Sequence, residues 1–304
     1  MMILLAGLLR TIFLSIFMVI GSAMSTQIIQ SDWTDIHSKY DTFFVDVVGV
    51  MYDGKTPYKH SIDFINSLDD TKDVIFISNN PRPSILSIEK LKQFGITRPF
   101  KVVTSGDLAQ FELSKAEQQQ FKYYHLGDHI NKDILKGISL NLTSKIEEAD
   151  RVLLTLFVEE NEDKEQYTSL LSKISDMRIP TFCANPDMKA LYGDEMRYCA
   201  GYFADLIKER GGIVEMWGKP NPQIFDFVQQ QYPDIIVEKN KSIMIGDTLE
   251  TDIQAANLFG IDSLLVLSGI SGKDGTARLE TDKYLSNSYF IPTYVMDTLR
   301  NFSH

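Results

Sequence analysis

Thr42-Phe43-Phe44-Val45-Asp46 is a short run of apolar residues, rich in aromatic and β-branched side chains, that ends in an aspartate. The same pattern recurs at Val74-Ile75-Phe76-Ile77, which leads into Ser78-Asn79-Asn80, and at Ser242-Ile243-Met244-Ile245, which leads into Gly246-Asp247. Apolar runs of this length, without polar alternation, are typical of strands that are buried on both faces of a parallel sheet. The sequence therefore predicts at least these three strands in one buried sheet.

Helical patterns lie between the predicted strands, at residues 61–68, 84–94 and 222–231. Strands that alternate with helices imply right-handed crossovers and a doubly wound, Rossmann-like α/β fold. In such sheets ligands bind beyond the carboxyl ends of the strands. We therefore expect the polar residues that follow the three strands, Asp46, Ser78 and Asp247, to meet at one edge.

Well over 100 residues separate the second of these strands from the third, which is too many for a loop in a compact domain. This segment has strand patterns of its own at 122–126, 151–158 and 179–183, and a helical pattern at 163–174. It predicts an α/β cap domain inserted into the core. The predicted division of the chain is a leader or mis-assigned start (1–24), the first part of the core (25–107), the inserted cap (108–210) and the second part of the core (211–304).

The 304-residue chain is acidic, with 30 Lys+Arg against 41 Asp+Glu and a formal net charge of -11. Binding to nucleic acid depends mainly on clustered Lys and Arg that neutralise phosphates, so this composition argues against a nucleic-acid partner. An acidic protein can still hold a small phosphorylated metabolite if a cation lies between them.

The first 24 residues differ from the rest, because Arg10 is their only charge and residues 11–20 are nearly all apolar. Three interpretations stay open: a secretory signal peptide with Gly21-Ser22-Ala23 as its cleavage site, a membrane anchor, or an upstream start codon with Met24 as the true initiator. The first two place the protein in an exported, periplasmic or membrane-anchored location, and the third places it in the cytoplasm. Contact with a membrane is expected only through residues 1–24, if they are not cleaved.

The cysteines and two of the histidines are not predicted to carry chemistry. Cys183 and Cys199 are the only cysteines and form no C-x-x-C pair, so we expect two buried thiols. His125 and His129 lie four residues apart but have no third ligand in sequence, so a structural role is favoured over a metal site.

Four short segments follow one another along the chain: Asp46-Val47-Val48-Gly49-Val50, Ser78-Asn79-Asn80, Gly218-Lys219-Pro220, and Gly246-Asp247 through Asp252. In this order and context they resemble the four motifs of the haloacid dehalogenase superfamily. The cap after the second motif resembles subclass IIA, the group of hydrolases similar to N-acetylglucosamine and p-nitrophenyl phosphatases. The continuation through Pro81-Arg82-Pro83 resembles a branch of this subclass that lacks the second aspartate of the first motif.

The resemblance implies roles for the acidic residues. Asp46 is implied as the nucleophile that forms an aspartyl phosphate, which is a known role of carboxylates in phosphoryl transfer. Mg²⁺ is implied as the cofactor, with Asp46, the backbone carbonyl of Val48 and Asp247 as ligands and Asp252 as a supporting carboxylate. Oxygen ligands of this kind suit a hard divalent cation.

The resemblance also implies residues that bind the substrate. Ser78 and Asn79 would bind phosphoryl oxygens, and Lys219 would balance the negative charge of the nucleophile and the phosphate. Asn185 and Asp187 belong to an Asn-Pro-Asp sequence like that of subclass IIA caps, and are candidates for substrate specificity. For these two, a simple Asn-Pro turn is an equally good interpretation.

Val48 departs from the usual pattern, in which an aspartate at this position protonates the leaving group and later activates water. Valine cannot exchange a proton, and loss of a general acid or base typically costs about 10² to 10⁴ in rate. Asp53, in the turn Tyr52-Asp53-Gly54, is a candidate substitute acid, although Asp-Gly is also a common turn pair.

The sequence predicts a Mg²⁺-dependent phosphohydrolase that acts on a small phosphorylated metabolite. Two other readings remain: a catalytically weak or inactive protein that binds or senses a phosphometabolite, favoured by Val48, and a phosphotransferase. Whether the chain forms a homo-oligomer is left open.

Overall fold

The fold is taken from a computed structural model, which describes residues 27–28, 37–159, 161–270 and 289–300. The strands, in chain order, are β1 (Gln27–Ile28), β2 (Thr42–Val45), β3 (Asp73–Ser78), β4 (Lys101–Thr104), β5 (Lys122–Gly127), β6 (Asn141–Thr143), β7 (Arg151–Thr155), β8 (Phe157–Glu159), β9 (Thr181–Cys183), β10 (Lys189–Tyr192), β11 (Glu195–Cys199), β12 (Val214–Met216), β13 (Ser242–Gly246), β14 (Asp262–Val266) and β15 (Tyr294–Met296). The α-helices are α1 (Lys59–Ser67), α2 (Ser84–Gln93), α3 (Ser105–Leu113), α4 (Thr168–Asp176), α5 (Ala200–Glu209), α6 (Gln223–Gln231) and α7 (Gln254–Phe259).

The core is a seven-stranded sheet in the order β1-β15-β14-β13-β2-β3-β4, and its neighbouring strands run parallel. Successive residues of β2 point to opposite faces. Phe43 joins a buried cluster that includes Ile62 of α1, whereas Phe44 joins a second cluster that includes Phe225 of α6. Since both faces are covered by helices, the predicted doubly wound α/β fold is confirmed.

Burial on both faces explains why the strand sequences are uniformly apolar. The residues of β2 and β13 are buried along their whole length, and only Asp73 at the start of β3 is exposed. Phe44 and Phe225 meet edge to face with ring centroids 5.0 Å apart. Burial of each such side chain stabilises the fold by about 1.5–3 kcal/mol, before entropy is subtracted.

A second unit lies between β4 and α6. It contains the parallel sheet β12-β9-β7-β5-β6 and the antiparallel sheet β10-β11-β8. One face of the parallel sheet packs on α4 and α5, through a cluster that includes Ile174 and Phe203. On the other face Phe182 stacks on Trp217, with ring centroids 4.7 Å apart, and joins the same cluster as Phe44 of the core. This inserted α/β unit is therefore packed directly against the core.

Within the inserted unit, the predicted bounds of one strand and one helix were wrong. The strand expected over 151–158 is two strands, since β7 pairs in the parallel sheet and β8 pairs with β11 in the antiparallel one. Leu156 between them is buried, so the hydrophobic pattern runs on across a change of partner. The helix expected from 163 begins at Thr168, after the 3₁₀ turn Lys164–Tyr167.

The predictions for Cys183 and Cys199 are confirmed, because both are buried free thiols, and burial raises the pKa of Cys183 to about 12. His125 and His129 do not act as a pair: Nε2 of His125 lies 2.7 Å from Oγ1 of Thr155, whereas His129 is exposed. No helix in the described ranges is long and apolar enough to cross a membrane. The leader predicted at residues 1–24 lies outside those ranges.

Candidate active site

The carboxyl ends of β2, β3 and β13 lie side by side at one edge of the core sheet. Val45 pairs with both Ile245 and Phe76, so the residues that follow β2 lie beside the ends of both neighbours. Asp46 follows β2 directly, and its backbone N–H donates to the carbonyl of Ile245 at 2.8 Å. The expected convergence of Asp46, Ser78 and Asp247 is what this register produces.

Three aspartates form a buried cluster at this edge. One carboxylate oxygen from each of Asp46, Asp247 and Asp252 lies within 4.8 Å of the others. Their residues are only 8%, 2% and 1% exposed, respectively. No other grouping of three metal-binding side chains occurs in the described part of the chain.

Lys219 places an ammonium group inside this cluster. Its Nζ lies 2.5 Å from Oδ1 of Asp46 and 2.7 Å from Oδ1 of Asp252, and donates to the carbonyl of Ile77 at 3.0 Å. Burial opposes the positive charge, but attraction to Asp252 and Asp46 outweighs it and raises the pKa of Lys219 above its usual value. The lysine is therefore a fixed positive charge beside the expected nucleophile.

Backbone N–H groups hold two of the acids in place. Oδ2 of Asp252 accepts hydrogen bonds from the N–H groups of Asp247 and Thr248, both at 3.1 Å, and Oδ2 of Asp247 accepts from Ile270 N–H at 2.6 Å. At Gly49, with φ of +93°, an added Cβ would overlap the Asp247 carboxylate. The bend after β2 thus requires a residue without a side chain at this position.

The cluster lacks enough positive charge of its own. Burial, opposed by Lys219, raises the pKa of Asp46 well above its ordinary value. Burial and the neighbouring Asp252 raise the pKa of Asp247 to about 7. One ammonium cannot compensate three buried carboxylates, and buried charge is costly unless it is paired. Oxygen donors with this deficit fit a hard divalent cation.

Asn79 ties the lysine to the cap. Its Oδ1 accepts from the backbone N–H of Lys219 at 2.8 Å, and its Nδ2 donates to the carbonyl of Lys219 at 2.9 Å and to Oδ1 of Asp187 at 2.7 Å. The side chain of Asn79 is therefore used to position Lys219 and Asp187. Its predicted contact with phosphate stays a prediction.

Ser78 and Val48 both line the cavity that opens from the cluster. Ser78 is 4% exposed and its Oγ accepts from the N–H of Asn80 at 3.2 Å, which leaves the hydroxyl hydrogen available to an oxygen of a ligand. Val48 is half-buried and forms an isolated bridge with Tyr52 in the flap that follows β2.

The candidate specificity residues Asn185 and Asp187 line the cavity from the cap side. Oδ1 of Asn185 accepts from the N–H of Asp187 at 3.2 Å, so the Asn-Pro-Asp segment forms a local turn and also faces the site. Burial raises the pKa of Asp187 to about 6.

Asp53 is used in a turn. Its Oδ1 accepts from the N–H groups of Lys55 at 2.9 Å and Thr56 at 2.7 Å, and the residue is not part of the cavity wall. This placement favours the turn interpretation, and a role as substitute acid stays a prediction.

The cavity has a volume of about 520 Å³, within the range usual for small-molecule sites. Several wall residues were given no role in the site from the sequence, because a single basic, aromatic or apolar residue gives no local signal of what it faces. The main ones are Tyr52, Arg82, Lys90, Phe157, Leu191, Tyr192 and Met196.

Comparison with known proteins identifies the family. Residues 43–140 match the model for haloacid dehalogenase-like hydrolases, and residues 216–302 match a second model described as HAD-hydrolase-like. The chain belongs to the haloacid dehalogenase superfamily of hydrolases. The two matched segments contain the acidic cluster, Ser78 and Lys219, and they flank most of the inserted unit.

Curated relatives of this superfamily include an acid sugar phosphatase of Staphylococcus epidermidis, 27% identical over 237 residues that cover 76% of this chain and 88% of that protein. A 5′-nucleotidase of Bacillus subtilis, YutF, is 23% identical over 86% of this chain and 96% of its own length.

Solved structures also resemble the chain. A haloacid dehalogenase-like hydrolase from Brucella suis superposes with a TM-score of 0.75 at 25% identity, covering 89% of this chain and all of that one. A 4-nitrophenylphosphatase from Thermotoga maritima shares the fold, with a TM-score of 0.66 at 22% identity and coverage of 88% and 97%. These likenesses confirm the subclass IIA predicted from the motifs.

Proposed function

We propose that this haloacid dehalogenase-superfamily hydrolase is a Mg²⁺-dependent phosphohydrolase of small phosphorylated metabolites that works through an aspartyl phosphate on Asp46. The relatives whose names specify phosphorylated substrates support the reaction class. The observation that carries the proposal is the buried Lys219, whose ammonium lies against both Asp46 and Asp252 beneath an open cavity.

In the first step, the carboxylate of Asp46 attacks phosphorus, a bond forms between Oδ and phosphorus, and the ester oxygen leaves with its electron pair. In the second step, water attacks phosphorus as the bond between phosphorus and Oδ of Asp46 breaks. One proton of this water passes to solvent, solvent returns a proton to the departed oxygen, and inorganic phosphate leaves with the Asp46 carboxylate restored. Lys219 balances the charge of nucleophile and phosphate throughout, because its ammonium is held in place by Asp252 and the carbonyl of Ile77.

The residues that would hold Mg²⁺ are Asp46, Asp247 and the backbone carbonyl of Val48, with Asp252 in support. Bound there, the cation would supply positive charge that the three carboxylates and the phosphate lack. Asp252 already orients the first turn after β13 by accepting from two N–H groups, so its effect on the cation is through the position of Asp247.

Val48 limits the leaving groups that the site can expel. Because valine cannot give a proton to the departing oxygen, we expect acyl, aryl and anhydride phosphates to react faster than alkyl phosphates. Asp187 is an acid on the cap side of the cavity wall, but its Oδ1 accepts a hydrogen bond from Asn79.

The test is turnover of 4-nitrophenyl phosphate, whose leaving group hardly needs protonation, by the full chain with and without Mg²⁺. We expect Mg²⁺-dependent hydrolysis that disappears in Asp46→Asn. If wild-type protein shows no such turnover yet binds phosphate analogues, the alternative holds, a phosphometabolite-binding protein that has lost catalysis. Val48 is the feature that favours this alternative.

A further inference from the structure

Arg82 and Lys90 are cations of the core that line the cavity without belonging to the carboxylate cluster, and Lys189 lines it from the cap. Arg82 follows β3, and Lys90 lies on α2, which begins two residues after Arg82. Both side chains line the same cavity as Asp46 and Ser78. The chemistry proposed above uses neither of them.

Lys90 has no carboxylate within ion-pair distance in the described part of the chain. Its ammonium donates to the carbonyl of Gly54 at 3.2 Å and lies 4.1 Å from the ring centroid of Tyr52. Burial, and after it the positive charge of Arg82, lowers the pKa of Lys90, and only a weaker attraction to Asp53 opposes them. A half-buried ammonium beside a second cation is poorly compensated, so an anion bound there would be stabilised.

The guanidinium of Arg82, on the same wall of the cavity, has N–H groups that can still donate to a ligand. Its Nε and Nη2 donate to Oδ2 of Asp133, at 3.1 and 2.7 Å, and Nη1 has no hydrogen-bond partner among residues 37–159, 161–270 and 289–300. Asp133 is also paired with Lys136, at 2.5 Å. One carboxylate is therefore shared between two cations, and the guanidinium keeps both charge and an N–H group for a ligand.

The cation pair lies close to the phosphoryl end of the cavity. Burial and the negative charge of Asp46 raise the pKa of Tyr52 to about 12, while Arg82 acts in the opposite direction. Tyr52 also forms the isolated bridge with Val48, two residues after Asp46, and its ring centroid lies 4.1 Å from Nζ of Lys90, so it connects the segment after β2 with this cation. A short molecule with its phosphoryl group at Asp46 can therefore place its other end beside Arg82 and Lys90.

We propose that Arg82 and Lys90 form a subsite for a second anionic group, a carboxylate or a further phosphate, on the phosphomonoester that Asp46 attacks. This inference rests on the proposed function, because it takes the phosphoryl group to be bound beside Asp46. It narrows the substrate class to small phosphorylated acids or bisphosphates, and it disfavours phosphorylated neutral alcohols of the same size.

The test uses phosphonates, which are not hydrolysed, so that binding is measured independently of turnover. Three ligands share a three-carbon spacer: 4-phosphonobutyrate, propane-1,3-bisphosphonate and 3-hydroxypropylphosphonate. The same three ligands with spacers of two and four carbons are measured as well. Their dissociation constants are measured by calorimetry on the full chain with Mg²⁺. We expect at least one anionic member to bind about tenfold or more tightly than the matched alcohol, because a hydrogen bond to a charged group is roughly twice as strong as one between neutral groups. The ligand that binds more tightly than the alcohol, the carboxylate or the bisphosphonate, identifies the second anionic group of the substrate.

Lys90→Met should remove this advantage and leave the affinity for the alcohol within about twofold, whereas Lys90→Arg should keep it. Lys55→Met is the matched control. Lys55 lies in the same region after β2, and its Nζ is 4.7 Å from the ring centroid of Tyr192. It is not part of the cavity wall.

Equal affinities for the three ligands in the wild-type chain would overturn the subsite, and so would an advantage that survives Lys90→Met. Loss of affinity for every ligand in Lys90→Met would overturn it too, since Lys90 would then act by holding the flap through Gly54. A preference that passes these tests in a chain without turnover of 4-nitrophenyl phosphate would keep the subsite and reject the hydrolase. If no phosphonate binds at all, both proposals fall.

Discussion

At the core end of the cavity, acidic side chains are held by backbone N–H groups at the ends of parallel strands, whereas the cap end is walled largely by side chains near one antiparallel hairpin. Asp247 and Asp252 are almost fully buried and accept from three N–H groups between them. On the cap, Tyr192 is half-buried, and the guanidinium of Arg197 lies 4.2 Å from its ring centroid.

This difference separates two tasks. Oriented N–H groups and buried charges cannot rearrange without losing several bonds, so the core end is organised in advance for charge stabilisation. Stacked aromatic and cationic side chains can shift without breaking hydrogen bonds, which suits recognition of a variable part of the substrate. Substitutions at the core end should therefore change turnover, and substitutions at the cap end should change affinity.

The largest effect is expected from Asp46→Asn, which removes the proposed nucleophile. We expect kcat for 4-nitrophenyl phosphate with Mg²⁺ to fall by about 10⁴-fold or more. Asp53→Asn is the matched control, because asparagine can keep the turn in which Oδ1 of Asp53 accepts from two N–H groups. A loss of 10²-fold or more in the control would instead support Asp53 as the substitute acid.

Val48→Asp should raise hydrolysis of alkyl phosphates by about 10²-fold, since a carboxyl group there can exchange a proton with the leaving oxygen. The measurement is the ratio of kcat/KM for an alkyl phosphate to that for 4-nitrophenyl phosphate. Val48→Asn has the same shape as the aspartate but no exchangeable acid, and should leave the ratio unchanged. An equal rise in both variants would mean that polarity, not the missing acid, limits the wild-type protein.

Mg²⁺ should stabilise the wild-type chain and a chelator should remove both that stability and the activity. At a hundredfold excess over Kd, binding contributes about 2.7 kcal/mol to the free energy of unfolding, which shifts Tm by several degrees. Asp247→Asn should abolish the shift, and it should make the metal-free protein more stable by relieving repulsion from Asp252. Asp63→Asn, at an exposed acid of α1, is the control, and a preserved Mg²⁺ shift in Asp247→Asn would contradict the metal site.

Tyr192→Ala should raise KM for a small phosphorylated metabolite by up to about tenfold and leave kcat nearly unchanged. Contacts that are equally strong in the ground state and the transition state affect substrate binding and not the chemical step. The comparison with Asp46→Asn then separates affinity from turnover. A fall in kcat without a change in KM would show that the cap end also takes part in the chemical step.

The smallest effect is on the stability of the cap at acidic pH. Burial lowers the pKa of His125 from 6.5 to about 4, so between these values the unfolded chain binds a proton that the folded chain does not. Its contribution to stability is therefore fully present above pH 6.5 and is lost as pH falls toward 4. From pH 7 to 5 the loss is about 1–2 kcal/mol.

Urea midpoints at pH 5 and pH 7 test this, in wild type and in His125→Gln, where glutamine can still bond Thr155 but does not titrate. His129→Gln at the exposed neighbour is the control. An unchanged pH dependence in His125→Gln would show that other groups cause it.

The strands of the core were predictable because their signal is local. Apolar residues of β2, β3 and β13 follow one another without interruption, and the residue that ends each run is polar. Parallel pairing then brings those ends together, so the sequence alone groups Asp46, Ser78 and Asp247. The break between β7 and β8 was not predictable, because hydrophobic patterning records burial and not the identity of the partner strand.

The side-chain partners across the cap and core required the tertiary structure. The loop with Asn79 follows β3, yet its amide bonds Lys219 and Asp187, which lie 140 and 108 residues further along the chain. Lys90 occupies an ordinary helical position, and nothing in its neighbours along the chain indicates that it faces Tyr52 and the cavity.

The amino-acid sequence alone therefore specified the fold class and the acidic chemistry, since both depend on residue types at the ends of short apolar runs. Only the packing of the inserted unit on the core decided which donors remain available to a ligand. Asn79 is committed to Lys219 and Asp187, Asp53 is committed to its turn, and Arg82 and Lys90 are turned toward the cavity. The physical reason is that hydrogen bonds and ion pairs between distant segments depend on three-dimensional distance, which no local pattern of the chain records.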